Sequence, residues 1–144
     1  MKLVDSNVWL AMALSAHEHN GSASVWFDAQ KAKGSIAFCR LTQVSLLRLL
    51  TTRAVVSAYG SAPLKNEEAW SIFEEFHSDA RVTFTSEPAG LDRRWKDLSS
   101  RNTPSPKLWM DAYLAAFAIQ GNHQFVTLDS AFTQFEELDL NFLG

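Results

Sequence analysis

Apolar positions along the chain fall into short runs and helical stripes, with no internal repeat and no low-complexity tract. Leu3 and Val4 lead into Asp5, and an apolar run from Val8 to Leu14 follows. This predicts a strand over 2–4 and a helix over about 7–15. His17 to Gly21 reads as a loop. Ser22 is placed to cap a helix over 23–33 with Val25, Trp26, Ala29 and Ala32 on one stripe, closed by Gly34. Residues 35–38 are β-like. Thr42 is placed to cap a helix to about Thr52, with Leu46, Leu47, Leu49 and Leu50 as its apolar side. Gly60 and Pro63 interrupt the pattern.

A helix is expected over 66–78, acidic in its first turn at Glu67 and Glu68, as the helix dipole favours. Residues 81–85 alternate like a strand, and 88–100 read as a helix with a basic middle. Pro104 and Pro106 precede the strongest helix, 109–120. A strand over 124–128 ends at Asp129, a helical turn lies around 131–135, and a last strand is expected over 138–143. Strands alternating with helices predict an α/β sandwich with a mainly parallel sheet, formed by one domain over 1–144.

Composition narrows the classes. With 144 residues, 47% hydrophobic and 20% charged, the chain holds enough apolar surface for a core without disulfides. The single Cys39 excludes an internal disulfide and a cysteine-rich zinc site, and fits a reducing cytoplasm. The run Val8–Leu14 is too short to span a membrane and is separated from Lys2 by polar residues, so neither a membrane partner nor a leader is expected. A net charge of −3 gives no overall pull toward nucleic acid, so any such contact needs a local basic patch. Candidates are Arg40, Arg48 and Arg53 on one segment, and Arg93, Arg94, Lys96, Arg101 and Lys107 on another. The tryptophans sit mostly in apolar stripes and are expected in the core, with Trp109, close to Asp111, the exception to watch.

No glycine-rich phosphate cradle and no Gly-x-Ser-x-Gly elbow is present. His17-Glu18-His19 reads as part of a solvated loop. Three aspartates stand out instead. Asp5 and Asp129 each end an expected strand, and in open parallel sheets the ligand crevice lies outside the carboxyl ends of the strands. Asp111 opens an otherwise apolar helix, with Leu114, Ala115 and Ala118 at its i+3, i+4 and i+7 positions. Each alone has a plain explanation as a cap, an Asx-turn or an arginine partner. Together they form an oxygen-only donor set of the kind that selects Mg²⁺ or Mn²⁺. Such ions suit phosphodiester hydrolysis, because they activate a water and neutralise charge on the phosphate.

Four segments in this order, Leu3-Val4-Asp5-Ser6-Asn7-Val8, Leu41-Thr42-Gln43 through Arg48, Met110 through Ala116, and Val126 through Phe132, resemble PIN-domain ribonucleases. The resemblance is to the VapC toxins of bacterial type II toxin–antitoxin systems and runs over essentially the whole chain. It implies a PIN-like three-layer α/β/α sandwich and an Mg²⁺-dependent endoribonuclease (Mn²⁺ also serving). It further implies an RNA substrate, a VapB-type antitoxin as partner, and a homodimer. Asp5, Asp111 and Asp129 fall on the family's acidic metal-site positions, and Asn7 and Thr127 on the flanking polar ones. Arg48, Arg93, Arg94 and Lys107 are the RNA-contact candidates. The chain departs from the family in the second motif. The usual glutamate directly after Thr42 or three residues on is replaced by Gln43 and Ser45. Gln43 is then expected to position water or substrate, with Thr42 and Ser45 in support. The competing expectation, from another class, is a catalytically weak or silent PIN-like module that binds a protein or RNA.

Overall fold

A computed structural model describes residues 1–144. Five strands, β1 (Lys2–Val4), β2 (Ile36–Phe38), β3 (Val82–Phe84), β4 (Gln124–Thr127) and β5 (Leu140–Phe142), form one sheet in the order β3-β2-β1-β4-β5. Every pairing is parallel, so the sheet is wholly rather than mainly parallel. Seven helices connect the strands: α1 (Ser6–Ala13), α2 (Asn20–Ala29), α3 (Arg40–Leu50), α4 (Arg53–Val56), α5 (Asn66–Ser78), α6 (Leu91–Ser99) and α7 (Leu108–Gln120). Two 3₁₀ turns, Ser57–Tyr59 and Ser130–Gln134, complete the chain.

Parallel strands are covered on both faces, and their side chains alternate between two cores. Leu3, Ala37 and Phe125 point to one face, where α6 and α7 supply Leu91, Leu108, Leu114 and Phe117. Val4, Ile36, Phe38 and Val126 point to the other, under Val8, Trp9, Trp26, Leu46, Leu50 and Phe73 from α1, α2, α3 and α5. That is the three-layer α/β/α sandwich. Trp9 anchors the second core. It stacks on Phe38 with centroids 4.0 Å apart, and its Nε1 donates to the Val4 carbonyl at 3.2 Å. On the other face Ala112, Ala115, Ala116 and Ala118 carry no bulk, and all four are buried where α7 lies on the sheet.

Several boundaries differ from the pattern reading, each for a local reason. Ser22 does not cap α2, which already begins at Asn20; the Asn20 Nδ2 donates to the Ala11 carbonyl at 2.8 Å and ties α2 to α1. Thr42 lies inside α3, its Oγ1 accepting the Cys39 N–H at 3.0 Å as the return half of a capping box. α6 waits until Leu91 because Gly90 adopts φ 81°, a left-handed turn that a helix cannot include. α4 was hidden in 53–56, a four-residue turn too short for periodicity to reveal. The tryptophans divide: Trp9 and Trp26 are core, but Trp70 and Trp109 are exposed.

Candidate active site

The carboxyl ends of β1 and β4 meet in the middle of the sheet, and the polar residues that follow them are cross-linked. Asp5 continues β1 in extended conformation, its N–H donating to the Val126 carbonyl at 2.9 Å. Its Oδ2 accepts from Thr127 Oγ1 at 2.7 Å and from Asn7 Nδ2 at 3.1 Å. Thr127 Oγ1 in turn accepts the Asp129 N–H at 3.0 Å and Asn7 Nδ2 at 3.3 Å, so its one donor and both acceptor positions are in use. Asn7 Oδ1 closes the lattice by accepting the Leu128 N–H at 3.1 Å. Asp5 Oδ1 receives only a long 3.5 Å contact from the Ser6 hydroxyl. One carboxylate oxygen is therefore held and the other is left available.

Asp5 is buried, and burial pushes its carboxyl up to about 6. The hydrogen bonds from Thr127 and Ser6 work against that rise, whereas the charges of Asp111 and Asp129 add to it. Asp111, half-buried in the first turn of α7, is raised mainly by burial and next by the charge of Asp129, with Lys107 pulling the other way. The three aspartates thus lie within electrostatic reach of one another. None takes part in a salt bridge. Asp129 is exposed, and its Oδ1 also caps the following 3₁₀ turn through the Ala131 N–H at 2.9 Å.

The donor chemistry, carboxylate oxygens with one buried anion lacking a cationic partner, fits a hard divalent cation. As they stand, no three acidic, histidine or cysteine side chains converge closely enough to make a finished cage.

The second motif behaves differently from expectation. Gln43 is buried, and its Oε1 accepts from Arg40 Nη1; the sequence placed it on water or substrate directly. Thr42 is committed to Cys39, and Ser45 is buried on α3 with no hydrogen bond to the aspartates. Among the basic residues, Arg48, Arg93 and Lys107 are exposed. Arg94 is not a free cation: Nη1 pairs with Glu137 and Nε donates to Gln120 at 3.1 Å. Val8–Ala11, Leu46 and Leu50 are core, whereas Met12 and Ala13 line one surface depression and Leu47 another. An apolar groove of about 380 Å³ is lined by Leu41, Val44, Trp95, Trp109, Met110 and Tyr113, with Arg40 and Glu87 at its polar positions. Trp109 and Met110 directly precede Asp111, and that adjacency of exposed apolar residues to a site residue was the one signal in the sequence for it.

A wholly parallel sheet with three coupled aspartates at or beside the carboxyl ends of its strands defines the class, and the comparisons agree. The PIN domain family model matches residues 2–138. The chain belongs to the PIN-domain family, in its VapC branch. It is 51% identical to Ribonuclease VapC41 of Mycobacterium tuberculosis, over 100% of this chain and 99% of that protein. In fold it is similar to VapBC2 of Rickettsia felis, solved bound to a DNA fragment from their promoter, with TM-score 0.68, 17% identity and coverage of 98% and 97% of the two chains. It is likewise similar to VapC20 of M. tuberculosis, described as a sarcin-ricin loop cleaving toxin, with TM-score 0.67, 15% identity and coverage of 96% and 98%.

Proposed function

We propose that this protein is a metal-dependent endoribonuclease, the toxin of a VapBC-type toxin–antitoxin pair. The observation that carries the reading is the set of three mutually coupled aspartates, none of them in a salt bridge, in a chain 51% identical throughout its length to a ribonuclease. Asp5 and Asp111 would hold Mg²⁺ or Mn²⁺, and Asp129 would complete the set. The ion, when bound, supplies charge neutralisation for the phosphate and lowers the pKa of a water.

The chain's own residues do the positioning. Thr127 and Asn7 fix Asp5 Oδ2 so that Oδ1 faces its task in one orientation. Lys107, close enough to lower the Asp111 carboxyl, helps keep that group ionised and adds positive charge where RNA must approach. A short backbone connection from strand to Asp5 and from β4 to Asp129 keeps both on rigid supports. Hydrolysis then requires water to attack phosphorus as the leaving oxygen departs and takes up a proton.

A VapB-type antitoxin is the proposed protein partner, with a basic side chain among the aspartates as the simplest way to silence them, since such a charge competes with the cation. A homodimer is proposed as the free form. The silent-module reading had its best support in Gln43, and the match to a named ribonuclease does not favour it. The test is RNA cleavage by the purified protein, freed of partner, in EDTA, Mg²⁺ and Mn²⁺. Cleavage with either ion, lost in EDTA and in Asp5→Asn, is the expected result. No cleavage under any condition would overturn the enzyme reading.

A further inference from the structure

Arg40 opens α3 at the carboxyl end of β2, and β2 lies directly beside β1, the strand that delivers Asp5. Its guanidinium carbon sits 4.6 Å from the centre of the Phe84 ring at the end of β3. Its Nη1 donates to Gln43 Oε1 at 2.5 Å. Gln43 is only 5% exposed, whereas Arg40 is exposed, so an anchored acceptor holds a guanidinium that faces solvent. An aromatic face and an amide oxygen orient a guanidinium without cancelling its charge. A glutamate at 43 would instead close a charge-assisted pair and spend it. Arg81 and Arg94 are spent in that way, on Asp79 and Glu137, and Arg40 is in no salt bridge.

The site itself needs such a charge. A polyanion approaching Asp5, Asp111 and Asp129 meets three carboxylates on a chain of net charge −3. A fixed cation at the carboxyl end of the neighbouring strand, on the same edge of the sheet as Asp5, offsets that repulsion.

We propose that Arg40 is a phosphate-binding residue of the RNA site, seated on Phe84 and positioned by Gln43, and that Gln43 acts through Arg40 and not as a stand-in metal ligand. The inference rests on the ribonuclease reading and assigns it a substrate contact. One N–H of the guanidinium is committed to Gln43, and the remaining donors of the fork are free for a phosphate oxygen.

The test uses the full chain carrying Asp5→Asn, so that a short single-stranded RNA probe is bound without being cut, in EDTA, by fluorescence anisotropy across a salt series. Arg40→Ala should weaken binding several-fold and reduce the slope of log K against log salt by roughly 0.7, the value expected when one phosphate of a single strand is no longer neutralised. Gln43→Glu should weaken binding in the same direction, because its carboxylate neutralises Arg40. Arg40→Lys should keep most of the slope. Thermal melts confirm that these variants fold. Unchanged affinity and slope in Arg40→Ala would overturn the proposal while leaving the nuclease reading intact. So would Gln43→Glu that binds RNA as before and gains Mn²⁺ affinity in the Asp5-intact chain, since it would make position 43 a ligand site. No RNA binding by any variant, with no cleavage by the wild type, would overturn both.

Discussion

Asp5 shows what the site costs the fold. Its carboxyl is raised from 3.8 to about 6, chiefly by burial. An acid raised in the fold binds its proton more readily there than in the unfolded chain. The fold therefore gains stability as pH falls from about 6 toward 3.8, and carries the full penalty above 6. The gap corresponds to about 3 kcal/mol, as an order of magnitude. Asp5→Asn keeps an oxygen to accept from Thr127 and Asn7 while removing the charge. It should raise the melting temperature at pH 7 in EDTA by several degrees and abolish RNA cleavage. The stability gain should shrink between pH 6 and pH 4. His123 acts in the opposite sense: it is buried with its Nδ1 unpartnered, and burial lowers its pKa, so acid costs stability there. Taking the difference between wild type and Asp5→Asn cancels that contribution and isolates Asp5. A variant that melts lower than wild type at pH 7 would refute the account. The position of Asp5 and Asp129 was legible in the sequence, because a β-branched and apolar run ending in Asp is a local pattern. The commitment of Gln43 to Arg40 was not, because a glutamine side chain's direction depends on what packs around α3, and Phe84 lies more than forty residues away in the chain.

At the scale of elements, one hydroxyl carries most of the side-chain bonding at the join between β1, α1 and β4. Thr127 Oγ1 serves Asp5, Asn7 and the Asp129 N–H at once, linking residues 122 apart in sequence. Thr127→Val fills the same space and removes all three bonds, leaving buried Asp5 Oδ2 with Asn7 alone. Losing hydrogen bonds to a buried charged group should cost about 2–3 kcal/mol and raise the Asp5 carboxyl further. Thr127→Ser should recover most of both. Urea denaturation midpoints and the pH dependence of RNA cleavage give the two readings; a Val variant as stable and active as wild type would show the hydroxyl to be incidental. The strands and α5 could be read from sequence because alternation and an acidic first turn are short-range signals, and α5 spans Asn66–Ser78 as expected. The starts of α2, α3 and α6 could not. A bond from Asn20 to Ala11, a capping box closed by Thr42, and a left-handed Gly90 decide them, and each depends on the neighbouring structure more than on residue type.

At the scale of the whole molecule, one face gathers several exposed apolar side chains. Val44 belongs to two adjoining depressions, one with Leu47, Ala69 and Trp70, the other with Trp95, Trp109 and Met110. Val44 is 51% exposed, Trp70 47%, Trp109 57% and Met110 45%. Contiguous exposed aromatic and aliphatic residues of this kind mark interaction surfaces. The polar residues set into the second depression, Arg40 and Glu87, carry opposite charges. A two-fold axis through the apolar residues would set this patch of one copy against the same patch of the other, as an isologous interface requires. Trp109 and Met110 directly precede Asp111, so pairing through this face would bring the two copies' acidic residues near the seam. Trp109→Glu places a charge in the centre of the apolar area, where it cannot be buried without a partner. It should turn a dimer into a monomer by light scattering at micromolar protein and abolish any dependence of melting temperature on protein concentration, since that dependence arises only when association stabilises the fold. Because Trp109 is exposed in the single chain, the variant should melt within about 1 kcal/mol of the wild-type monomer limit. A wild-type protein that stays monomeric at tens of micromolar would instead leave this face to the proposed VapB-type antitoxin, and co-purification of Trp109→Glu with that partner would then fail.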